Sequence, residues 1–152
     1  MKVKLKYNLE DTRYTVDFKK KYGYPFYESF KYNYEYPVIA IYPVALRVLD
    51  ESLDLCIYPI EMFEIIDHTI PDDWVKNDYE GSDGEMLSAY NPPFVGEIDY
   101  FWEEFYDGNI EAIKLFYNYI TTSGLITKED LNERLKRSND WAVWYGLLFP
   151  DD

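Results

Sequence analysis

The chain has 152 residues, 47% hydrophobic and 20% aromatic, enough to bury a core and too rich in rings to stay disordered. With 29 Asp and Glu against 15 Lys and Arg, its net charge of -14 argues against direct binding to nucleic acid or an anionic membrane. A single cysteine, Cys56, excludes an intramolecular disulfide or a cysteine zinc cage, and no apolar run reaches the roughly 20 residues of a membrane span.

No signal-type hydrophobic stretch follows the basic start Met1–Lys6, so a cytoplasmic protein is expected. Val3, Leu5 and Tyr7 alternate with lysines, and Tyr14, Val16 and Phe18 alternate with Arg13, Thr15 and Asp17. Two half-buried strands joined by the turn residues Asn8–Asp11 are the expectation. Phe30, Tyr32, Tyr34 and Tyr36 alternate likewise and predict a third strand; the apolar run 38–42 predicts a buried fourth. The period then turns helical. Pro43 suits a first helical position ahead of Leu46 and Leu49, and Pro59 another ahead of Ile60, Phe63 and Ile66. Prolines and glycines through 69–96 predict a long irregular connection.

Beyond it, Ile98, Phe101, Trp102 and Phe105 predict an amphipathic helix over 97–107. Ile110, Ile113, Tyr117 and Ile120 predict a second, stopped by Gly124. Thr127 and Asp130 mark the cap of a helix over 128–137, with Leu131 and Leu135 inward. Trp141, Trp144, Tyr145 and Leu148 fit a last helix. The fold expected is one acidic α+β domain, 1–152. It has an N-terminal antiparallel sheet of three to four strands followed by four to six helices packed on it, unfolding as one unit.

The charge is uneven. Residues 1–49 are net +4, residues 50–112 net -17 with Lys76 as their one base, and residues 113–152 net -1. One sign concentrated in a central stretch makes a field that steers a cationic partner. The competing explanation is that the basic N-terminus folds back over these acids. Along 97–107, Asp99, Glu103 and Asp107 recur every fourth residue, a spacing that destabilises a helix. Glu103, Glu104 and Asp107 also stand toward the predicted C-terminus, where the helix dipole disfavours them.

Catalytic signals are weak. His68 is the one histidine and reads as a residue at a helix C-terminus; Cys56 reads as a small buried hydrophobe. Counted as a calcium loop from Asp78, the chain has Asp83 where Gly is needed and Ala89 where Glu is needed. Asp17 and Lys19 share one face of the expected strand, an arrangement most simply read as a solvated face. No phosphate-loop or dinucleotide motif occurs, so no cofactor, metal or catalytic residue is assigned.

The function expected is a non-enzymatic acidic binding protein that neutralises a basic protein, such as a nuclease or another nucleic-acid-binding protein. Its physical type is that of immunity proteins and phage inhibitors, although no motif ties it to either. The expected partner-binding residues fall in three groups. Glu61, Glu64, Asp72, Asp73 and Trp74 come first, followed by Asp78, Tyr79, Glu80, Asp83 and Glu85, and then Asp99, Glu103, Glu104 and Asp107. Tyr and Trp among acids suit interface anchors. Helical carboxylates four residues apart lie about 6 Å apart along the axis, sparser than duplex phosphates, which leaves geometric mimicry of nucleic acid open. A carboxylate-metal hydrolase and an adaptor subunit are the alternatives.

Overall fold

A computed structural model describes residues 1–8, 17, 20, 21, 30–51 and 55–136. The alternation at the start forms β1 (Lys2–Leu5), with Val3 and Leu5 buried and Lys2 exposed. The apolar run forms β2 (Tyr36–Ile41), and β3 (Ala45–Val48) returns along it. Next come β4 (Ile57–Pro59), a 3-10 turn over Ile60–Met62 and β5 (Phe63–Asp67). A long hairpin of β6 (Val75–Glu80) and β7 (Met86–Asn91) completes an antiparallel sheet of seven strands.

The strand order is β4-β3-β2-β1-β5. β2 pairs with β1 at its N-terminal end, through Lys2↔Pro37 and Val3↔Tyr36, and with β7 at its C-terminal end, through Ile41↔Tyr90. Three helices follow: α1 (Phe101–Tyr106), α2 (Ile110–Thr122) and α3 (Lys128–Lys136). Residues 1–92 and 93–152 form two compact units, the first holding the described strands and the second these three helices.

This corrects the expected three to four strands and four to six helices. Pro43 opens no helix: Tyr42 N–H donates to Ala45 O at 2.9 Å, closing a tight turn that sends β3 back along β2. Leu46, Arg47 and Val48 are all buried on β3, and a strand buried on both faces carries no period-two signal. Ile60, Phe63 and Ile66 matched helical spacing, but only Ile60–Met62 turns; the β-branched Ile65 and Ile66 continue as strand. The segment 69–96 read as irregular holds the β6–β7 hairpin.

The tyrosine run is likewise no strand until Tyr36. Asn33 takes a left-handed φ of 67° and Tyr34 N–H donates to Lys31 O at 3.3 Å, leaving Tyr32 and Tyr34 exposed. β1 pairs with β2 and β5 rather than with residues 13–18. Asp17, Lys20 and Lys21 are helical, so Asp17 lies on no strand face; the rest of the expected second strand lies outside the described residues, as does the last helix over 141–148.

Edge-to-face rings centre the first unit: Phe30 stands 5.0 Å from Tyr36, 4.8 Å from Tyr58 and 5.3 Å from Phe63. Around them pack Val3, Leu5, Val38, Leu46, Val48, Met62 and Trp74, with Cys56 partly buried against the same cluster. Buried charge is satisfied locally. Arg47 Nη1 donates to Leu55 O at 2.6 Å, and Tyr58 OH donates to the fully buried Asp50 at 2.8 Å. The second unit builds its core from Phe94, Phe101, Phe116, Ile120, Leu131 and Leu135. Gly124, at φ 74°, ends α2 where a side chain would be strained, and Asp130 N–H donates to Thr127 Oγ1 at 3.0 Å to start α3.

Candidate functional site

The β6–β7 hairpin is paired without a register shift from Val75↔Asn91 to Glu80↔Met86. Its tip is the three-residue loop Ser82-Asp83-Gly84. Gly81 N–H donates to Glu85 O at 2.8 Å, Gly84 N–H donates to Gly81 O at 3.0 Å, and Gly84 has φ 78°. A left-handed last residue is what this loop length requires, and glycine supplies it at least cost. The sequence signal was present in the Ser-Asp-Gly tripeptide, but β6 alternates in no way that betrays a strand, because all six of its residues are exposed.

Opposed residues of an antiparallel pair share a face. Lys76, Asp78 and Glu80 therefore stand with Tyr90, Ser88 and Met86, while Val75, Asn77 and Tyr79 stand with Asn91, Ala89 and Leu87. Asp78 is partly answered, accepting from Ser88 Oγ at 2.6 Å with Lys76 Nζ 3.8 Å away. Among the described residues, Asp72, Asp73, Glu80, Asp83 and Glu85 form no ion pair, and all five are exposed. Six carboxylates against one lysine thus line the hairpin and its approach. Tyr79, Val75 and Met86 add apolar surface, 42%, 47% and 70% exposed respectively.

Other expected site residues are placed differently. Glu61 meets Lys21 at 2.7 Å and Glu64 meets Lys4 at 3.7 Å, so the basic N-terminal segment does fold back over these two acids. Trp74 is buried in the first unit's core rather than presented to a partner, Trp74 N–H closing the Asp72-Asp73 turn on Pro71 O at 3.1 Å. His68 follows a strand and not a helix, exposed beside the turn in which Thr69 N–H donates to Asp67 at 2.8 Å. That backbone donor first, and the Thr69 side chain second, hold the Asp67 carboxyl below the usual carboxylate range.

In the second unit the helix spans only 101–106, with Ile98 and Asp99 before it and Tyr100 at φ 56°. Glu104 accepts from Asn109 Nδ2 at 2.7 Å, and Asn109 Oδ1 in turn accepts from Glu111 N–H at 3.0 Å and Ala112 N–H at 3.3 Å. Glu104 thereby positions the cap of α2. Asp107 is the C-cap of the six-residue α1 but lies three residues before the thirteen-residue α2, whose N-terminus favours negative charge. Two of the three acids read as standing against a dipole, Glu104 and Asp107, are thus placed in favour of the longer helix, while Glu103 falls in the first turn of α1. Glu103 and Asp99 remain exposed.

No group of three or more His, Cys, Asp or Glu among the described residues could hold a metal ion, and no described helix is long and apolar enough to cross a membrane. No protein-family model matches the chain, and comparison with curated proteins and with solved structures finds no similar protein.

Proposed function

We propose that the protein is a non-enzymatic binding protein whose acidic β6–β7 hairpin occludes the phosphate-gripping surface of a basic protein, such as a nuclease. The observation that carries this reading is the hairpin's uncompensated charge. Asp72 and Asp73 on the approach to β6, Glu80 at its end, and Asp83 and Glu85 around the hairpin tip are exposed and form no ion pair among the described residues, and the hairpin joins the rest of the sheet through β7. Surfaces shaped for solubility intersperse both signs. Here attraction between opposite charges speeds encounter, and Tyr79 supplies a ring able to bury area at low entropic cost.

The test is capture from native cell lysate at low salt, with wild-type protein and the Glu80→Lys/Asp83→Lys/Glu85→Lys variant immobilised side by side. The expected result is a basic protein retained by the wild type, released by rising salt and absent from the variant. Identical retention on both surfaces would overturn the assignment to this hairpin. Retention of no basic protein by the wild type would overturn the reading itself.

A further inference from the structure

We infer that the outer edge of β6 docks an extended segment of the partner as an eighth, antiparallel strand, a segment alternating Lys or Arg with apolar residues. This rests on the reading above and names the mode and chemistry of contact. Gly81 N–H donating to Glu85 O fixes which pairs exchange hydrogen bonds. In an antiparallel ladder such pairs alternate, so Tyr79↔Leu87, Asn77↔Ala89 and Val75↔Asn91 are the bonded ones. The backbone N–H and C=O groups of Lys76, Asp78 and Glu80 therefore point away from β7. Among the described residues β6 pairs with β7 alone, and its six residues hold no other backbone partner. Three donors and three acceptors stand in register along an open edge.

Among the described residues, the sheet's other two edges are blunted by length, proline or irregular register, whereas β6 is guarded by the charges of Lys76, Asp78 and Glu80 alone, a guard that admits a strand of complementary charge. β4 is three residues long and ends in Pro59. β5 has five residues and joins β1 through a register shift between Lys2 and Val3. Short strands, prolines and bulges are the usual protection of a sheet edge. β6 has six residues, no proline and an unbroken register.

Charge selects the occupant. In an antiparallel addition, the residue opposite Asp78 or Glu80 lies on their face and within reach of their carboxylates. A second copy of β6, in the register centred on Asp78, would set Glu80 opposite Lys76 but Asp78 opposite Asp78. It would also bring together two hairpins that each carry six carboxylates against one lysine, whereas a strand with Lys or Arg opposite Asp78 and Glu80 is attracted at both positions. The intervening residues fall on the face of Val75 and Tyr79, which offer apolar contact. Recognition by strand addition with side chains read alternately is an established mode for extended peptides.

The experiment titrates the full chain with a blocked eight-residue peptide of alternating lysine and valine, and with the same peptide N-methylated on its lysine backbone nitrogens. Amide hydrogen exchange is followed by NMR. Saturable binding of the first peptide is expected, with new protection at the amides of Lys76, Asp78 and Glu80. N-methylation should weaken binding about fivefold or more, the worth of a hydrogen bond or two. Lys76→Pro should do the same, since it removes one outward N–H while making the edge more acidic; proline is tolerated at such edge positions. Equal affinity for both peptides without new protection at those three amides would overturn the docked strand and leave the acidic-surface reading standing. Absence of binding by the unmethylated peptide at low salt would also overturn it, the lysate capture then deciding separately on the surface reading. The N-methyl comparison leaves the protein unaltered, so it holds whether or not the proline variant folds.

Discussion

The acids around the β6–β7 hairpin and those of 103–107 look alike in sequence, and the structure surrounds them differently. Glu104 holds the Asn109 amide, Asn109 caps α2, and Asp107 adds negative charge near that helix's N-terminus. Glu80, Asp83 and Glu85 bond to no described side chain and face solvent. Acidic density alone therefore does not mark a binding surface. What separates the two is whether a carboxylate has a backbone donor, a cap or a cation to serve.

Substitutions can break or sharpen that contrast. The largest effect is expected at the residue that sits among the hairpin acids but does not belong with them. Trp74→Ala empties a core position and should cost about 3–5 kcal/mol in urea denaturation, with any binding loss tracking the unfolded fraction. The second unit has an alkaline weakness. Burial pushes the Tyr117 hydroxyl up to about 12, so the folded state retains a proton that an unfolded tyrosine releases near pH 10. Its contribution is fully present below about pH 10 and lost as pH rises toward 12; Tyr117→Phe should flatten that loss in a pH series of melting curves.

Smaller changes test the cap. Asn109→Ala should destabilise α2 by about 1–2 kcal/mol, and Glu104→Ala by about 1 kcal/mol through the freed Asn109 amide, both read by circular dichroism during denaturation. Smallest is the effect on folding of reversing the hairpin. Glu80→Lys/Asp83→Lys/Glu85→Lys should move stability by no more than about 0.5 kcal/mol while slowing association with a basic partner and flattening its salt dependence.

Legibility in the sequence followed how many faces an element buries. β1, with one wet face, and α2 and α3, with polar stripes and the Gly124 and Thr127 signals, were readable as elements, although β1 stops at Leu5 short of Tyr7 and α2 buries Ala112 and Phe116 while leaving Ile110 of the expected stripe exposed. β3 is buried on both sides and β6 exposed on both, so neither carries alternation, and proline with leucine spacing then mimicked helices. Charge polarity along the chain pointed to the hairpin acids, but it could not separate them from Glu61 and Glu64. The ion pairs of those two come from Lys21 and Lys4, distant in sequence. Nor could spacing reveal that Glu104 reaches forward to Asn109, because that bond depends on α1 stopping at Tyr106.

Native-state hydrogen exchange on two charge-reversed proteins, Glu80→Lys/Asp83→Lys/Glu85→Lys and Glu104→Lys/Asp107→Lys, tests the central contrast most directly, because it reads local stability element by element. The account predicts unchanged protection of the β2 amides in the hairpin variant. In the helix variant it predicts roughly tenfold faster exchange across the first turns of α2, about 1.4 kcal/mol of lost cap and dipole stabilisation. Exchange that quickens in β2 of the hairpin variant, or stays unaltered in α2 of the helix variant, would contradict it.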